Sequence, residues 1–235
     1  MTPSPRRTAR LTGVLYLVTI AGGVSGLLLR KSLIVRGDAA ATAAQILGSE
    51  DLYRLSFTVE LVGTLAYVAI TALLYGLLKP AGPMVSRVAA AFGLAGCTIG
   101  LALSPLLLAP LVLLSGAPYL ASFSPDQLQA LAYACLRLQG QGYTVAMTCF
   151  GLYCGLLGWL AFRSTFLPRV VGVLLALTCL GWSLDGLSEF LAPALSSKLG
   201  ALPMVLGLLG EGSLTVWLLL MGVNPDKWRA RAAAD

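Results

Sequence analysis

The sequence predicts an all-α membrane protein, a six-transmembrane-helix bundle with short interfacial helices in the external loops. Three observations carry this expectation. The 235 residues are 57% hydrophobic and only 11% charged, whereas an ordinary soluble domain carries about 25% charged residues. Mean hydropathy is +0.85, and a soluble fold of this length cannot hide so much apolar surface from water. Six runs approach the ~20 apolar residues that a spanning helix needs. They lie at 11–29, 54–78, 87–114, 130–162, 168–190 and 201–222, and together they read as a single integral membrane domain.

The first run follows the basic stretch MTPSPRRTAR and continues to Leu29. It then meets Arg30-Lys31 instead of a cleavage site, so a retained span is expected rather than a signal peptide. In the next loop Gly37-Asp38 precedes AAATAAQILGS, the pattern of a capped short helix lying at the interface. The second span contains SFTVELVGTLAYVAIT, with Glu60 inside an otherwise apolar run. The third holds Pro105 and Pro110; each removes a backbone hydrogen bond and crowds the preceding turn, so a kink or an interrupted helix is expected.

Ser124-Pro125-Asp126-Gln127 is a strong helix start, with Ser as N-cap, Pro in the first turn and Gln three after the cap. A fourth helix from 125 to 162 is roughly 57 Å long, against a hydrocarbon core of ~30 Å, and must tilt, break or project. After the sixth span, Trp228 sits between Lys227 and Arg229, a composition that suits the interfacial belt. Gly22-x-x-x-Gly26, Gly96-x-x-x-Gly100 and Gly151-x-x-x-Gly155 offer small-residue stripes along which helices can approach closely.

Basic residues set the orientation. With the N-terminus cytoplasmic, that side holds Arg6, Arg7, Arg10, Lys79, Arg87, Arg163, Arg169, Lys227, Arg229 and Arg231. The opposite side holds Arg30, Lys31, Arg36, Arg54 and Lys198, and Arg137 falls inside a span. Both termini are therefore expected inside. The net charge of +6 resides mostly beside apolar runs, which points to topology and membrane lipids as partners and away from nucleic acid. The five cysteines all fall in apolar runs and the chain has no His, so neither a metal site nor a haem is expected. No cofactor is implied. No nucleotide-binding Gly motif, Ser-x-x-Lys or nucleophile–base pair is present, and no catalytic residue is assigned.

The polar residues inside the spans form stripes. Glu60, Thr64, Tyr67 and Thr71 are spaced 4, 3 and 4 apart, on one helical face. Arg137, Gln141, Thr144 and Thr148 repeat that spacing, as do Thr178, Trp182, Asp185 and Glu189; Glu211 and Thr215 are four apart. An ionisable group at membrane depth costs at least ~2.5–3.5 kcal/mol and normally faces the bundle interior with a partner. Glu60, Thr64, Tyr67, Arg137, Gln141, Asp185 and Glu211 are therefore expected to converge in a polar core near the outer half of the bilayer. Arg137 is the expected counter-ion of Glu60. Three carboxylates then share one guanidinium, and they cannot all stay ionised in a low-dielectric site without a cation.

Four stretches carry a family resemblance: ARLTGVLYLVTIAGG, SLIVRGDAAATAAQIL, SPDQLQALA, and FGLYCGLLGWLAFRSTFLPRVVGVLLAL. Through them the chain resembles the bacterial membrane proteins grouped as domain of unknown function 4386, over about residues 8–230. The resemblance implies a multi-pass protein of the bacterial cytoplasmic membrane and implies no reaction. Asp185 and Glu211 match acidic positions of the family, whereas Arg137 matches none. The chain departs from the family at Gln139 and Tyr153, where relatives often carry His, so any imidazole chemistry is missing here. Three functions remain open: a site for a cation or small polar solute, a non-catalytic assembly or partner protein with a structural polar core, and a lipid-acting intramembrane enzyme.

Overall fold

In the computed structural model, which describes residues 4–233, ten α-helices account for most of the chain and no strand occurs among the described residues. Six helical segments are long and apolar enough to cross a membrane. They are α1 (Pro5–Leu33), α3 (Glu50–Leu78), the pair α4 (Pro83–Leu103) and α5 (Pro105–Leu113), α6 (Pro125–Arg163), α7 (Arg169–Leu191) and α9 (Leu202–Leu220). Short helices α2 (Ala39–Gly48), α8 (Pro193–Leu199) and α10 (Pro225–Ala232) occupy the connections and the C-terminal end.

Local sequence explains the boundaries. The Ser4 hydroxyl accepts from the Arg7 N–H at 3.3 Å, with Pro5 opening the first turn of α1. Asp38 caps α2 through the Ala41 N–H at 2.8 Å. A full capping box starts α6: Ser124 accepts from Gln127 N–H at 3.3 Å, and the Gln127 side chain accepts from Ser124 N–H at 2.9 Å. Nothing interrupts the 39 residues that follow. The first turns of α6 reach the level of the α1–α2 loop, where the Tyr133 hydroxyl accepts from the Gly37 N–H at 2.8 Å.

The expected break in the third span falls at Ser104. Pro105 has no N–H to give the Leu101 carbonyl, and the Ser104 hydroxyl donates to that oxygen instead, at 2.8 Å. Beyond the break, Tyr53 of α3 donates its hydroxyl proton to the Leu107 carbonyl at 2.5 Å.

Each spanning helix packs on two neighbours, in the order α1, α3, α4, α6, α7, α9 and back to α1, so the six close into a ring. At the end that carries both described chain ends the ring is solid, with Tyr16, Ile70, Leu74, Leu157, Leu175 and Leu218 almost fully buried. The outer surface is apolar: Leu17, Leu28, Leu65, Leu180, Leu187 and Val216 are each more than half exposed. Such a distribution suits hydrocarbon outside and polar contacts inside. Helix α10 docks on this end. Trp228 donates its indole N–H to the Leu77 carbonyl at 2.8 Å, and Arg231 donates to the Pro80 carbonyl at 3.2 Å. Trp228 is thus fastened to the last turn of α3, where the sequence suggested a lipid-interface anchor.

Helices α6 and α7 approach most closely at a pair of glycines. A Cβ on Gly158 would lie 2.7 Å from the Gly172 carbonyl oxygen, and one on Gly172 would lie 2.7 Å from that of Gly158. The stripe glycines serve the same end: Gly22 and Gly26 face the α3 backbone at Val59 and Ser56, and Gly151 and Gly155 face Trp182 and Cys179 of α7. Gly140, in contrast, has nothing within 4 Å of such a Cβ. Gly158→Ala should therefore lower stability in detergent by about 1–3 kcal/mol through forced helix separation. Gly140→Ala should raise it by about 0.5–1 kcal/mol, both measured by thermal unfolding.

Candidate functional site

The hollow half of the ring lies at the end carrying α2 and α8. A cavity of about 500 Å³ occupies it, lined by residues of all six spanning helices. Its polar lining includes Glu60, Thr64 and Tyr67 from α3, Asp185 from α7 and Glu211 from α9. At its mouth stand Lys31 and Arg36, from the end of α1 and the loop after it, together with Gly200 and Ala201 before α9.

Two polar layers cross the cavity. In the outer one Glu60 forms an ion pair with Arg30, both side chains largely buried. The expected partner, Arg137, is exposed on α6 and makes no salt bridge among the described residues. The correction has a simple cause. The first apolar run ends at Leu29, but no helix breaker follows until Gly37, so α1 continues to Leu33 and carries Arg30 in its last turn. Cations are favoured there by the helix dipole. Since α1 and α3 pack against each other, that turn meets the outer part of α3. A second tie, from the Thr19 hydroxyl to the Gly63 carbonyl at 3.0 Å, fixes their register.

In the inner layer Tyr67 donates its hydroxyl hydrogen bond to Oε1 of Glu211. The Cys154 thiol stands 3.9 Å from the same oxygen. Tyr67 is embedded among aromatic rings, with centroids 4.7 Å from Phe150, 5.6 Å from Tyr16 and 6.1 Å from Tyr153. The hydroxyls of Tyr16 and Tyr153 are buried without a hydrogen-bond partner among the described residues. Glu211 Oε2 has no hydrogen-bond or ion-pair partner among the described residues, and neither does the Asp185 carboxylate.

Gln141 also departs from the expected grouping. Its amide donates to Glu189 Oε1 at 3.2 Å, while Ser196 in the middle of α8 donates to Glu189 Oε2 at 2.8 Å. Those contacts tie α6, α7 and α8 together beside the cavity rather than within it. Residues that sequence reasoning left out of the polar core include Arg30, Lys31, Arg36 and Phe150. The sequence between Arg30 and Gly37, which holds no Gly or Pro to end the helix, was the available signal for the first of them.

The corrected pairing has a measurable consequence. Arg30→Gln and Glu60→Gln should each destabilise, and a double-mutant cycle should return a coupling of about 1–3 kcal/mol. Arg137→Gln should fall within about 0.5 kcal/mol of the parent. Unfolding in detergent reads all four variants.

No curated protein and no solved structure matches the chain. One family model does, over residues 11–222, and that span holds all six spanning helices apart from the first turns of α1. The chain belongs to the family described as Domain of unknown function (DUF4386).

Proposed function

We propose that this multi-pass membrane protein binds a cation or small polar solute in the cavity of its helical ring. The carrying observation is that Asp185 and Glu211 both line the cavity and both hold carboxylate oxygens with no partner among the described residues. A purely structural core satisfies its polar groups internally, as Arg30–Glu60 and Gln141–Glu189 do. Unsatisfied carboxylates facing a hollow of this size are instead the features of a ligand site. Membrane lipids surround the ring, and nucleic acid has no place in this reading.

In this reading the protein sits in the bacterial cytoplasmic membrane, as its family resemblance implies, with both termini cytoplasmic, which the concentration of basic residues at the end bearing α10 and the start of α1 supports. The cavity mouth then faces the outside. Lipid-acting catalysis is disfavoured because the hydroxyls of Thr19 and Thr64 in the lining donate to backbone carbonyls, and no Ser or Cys among the described residues lines the cavity.

Cysteine accessibility in intact cells tests both statements. In a background with the five native cysteines replaced by alanine, Asp185→Cys should react with a membrane-impermeant thiol reagent added outside. Ile70→Cys, in the solid half of the ring, should not. A C-terminal reporter that fluoresces only when folded in the cytoplasm should be bright. An unreactive Asp185→Cys variant overturns the solute-site reading, and a dark reporter overturns the orientation.

A further inference from the structure

We propose that the cavity takes a linear zwitterion, with an ammonium group and an acidic group at the two ends of an apolar body. This rests on the reading of the cavity as a solute site and names its ligand class. Three features of the lining select it.

The first is size. A cavity of about 500 Å³ lies in the range of small organic ligands, roughly 300–1,000 Å³. No three metal-ligating side chains converge among the described residues. A bare inorganic ion would leave most of the space unfilled.

The second is the floor. Glu211 keeps Oε2 free while Oε1 accepts from Tyr67. The rings of Phe150 and Trp182 line the same space. Trp182 lies over Gly207, where an added Cβ would come within 2.9 Å of its Nε1, and Gly207 is one turn before Glu211 on α9. A carboxylate among aromatic faces attracts an ammonium group by charge and by cation–π contact. Ile20, Val24, Leu27, Met147, Met204 and Leu208 form the walls above it, which suits an apolar body.

The third is the mouth. Lys31 and Arg36 are exposed and have no acidic partner among the described residues. A simple cation meets repulsion there, and a simple anion meets Asp185 and Glu211 further in. A molecule with both charges satisfies both ends. The Glu60 and Tyr67 layers are seven residues apart on α3, so the charges should be separated by roughly 10 Å or slightly more.

Calorimetry on the protein in lipid nanodiscs tests the assignment with three probes: ω-aminooctanoate, octylammonium and octanoate. The first should bind at least about tenfold more tightly than either of the others, as expected when each charged end finds a charge-assisted partner. Glu211→Gln should weaken ω-aminooctanoate and octylammonium by about tenfold or more. Lys31→Gln with Arg36→Gln should weaken ω-aminooctanoate to the level of octylammonium and weaken octanoate as well, while octylammonium, relieved of repulsion at the mouth, loses no affinity.

Gly23 lines the cavity and has nothing within 4 Å of an added Cβ. Gly23→Leu should therefore narrow the space and weaken ω-aminooctanoate by about tenfold or more, which keeps the test decisive should the Glu211 variant fail to fold. Equal affinity for all three probes overturns the proposal, as does binding indifferent to Gly23→Leu. Absence of binding alongside a thiol-reactive Asp185→Cys variant overturns the zwitterion and leaves the solute-site reading intact.

Discussion

A charge inside hydrocarbon has no water to turn to, and that constraint organises this molecule. Arg30 and Glu60 meet it with each other, across the α1–α3 contact. The pair holds the outer ends of two neighbouring helices at one register, and Thr19 holds them again about halfway down α1. From there the ring follows: apolar side chains outward, polar side chains inward, and backbone groups satisfied within each helix. The interruption at Ser104–Pro105 is repaired locally by the serine hydroxyl.

The ring is built in two halves with different packing. Near the chain ends, large aliphatic and aromatic side chains fill the centre, and α10 closes over α3 through Trp228 and Arg231. Towards α2 and α8 a second apolar cluster of Leu33, Ile46, Tyr53, Leu107 and Leu136 packs α2 against its neighbours, and the cavity, which shares none of those residues, has the Tyr67–Glu211 layer as its floor. Glycine contributes to both halves: α6 and α7 touch through their backbones at Gly158 and Gly172 in the solid half, and Gly151 lies against Trp182 beside the cavity. Close contact around the rim leaves the hollow at the centre instead of between helix pairs.

The two polar layers have different characters. The outer one is paired and holds helices together. In the inner one the aromatic cluster around Tyr67 positions Glu211 through a single oxygen and leaves the other free. A charge that is half committed to the protein is available to a ligand, whereas a fully paired one is not. The distinction separates Glu211 and Asp185 from Glu60, although all three carboxylates line the same space.

Sequence by itself determined the spans, their number, the capped starts of α2 and α6, and the break in the third span, because each depends on neighbours a few residues away. It also put Glu60, Thr64 and Tyr67 on one face, since helical spacing alone does that. What it could not decide was which stripe faces which. Arg137 shares the 4-3-4 spacing yet points outward, and Gln141 turns to Glu189. Periodicity defines a face relative to its own helix axis. Only the packing of six helices fixes how each is rotated, and so whether a charge meets a partner, a cavity or the surroundings.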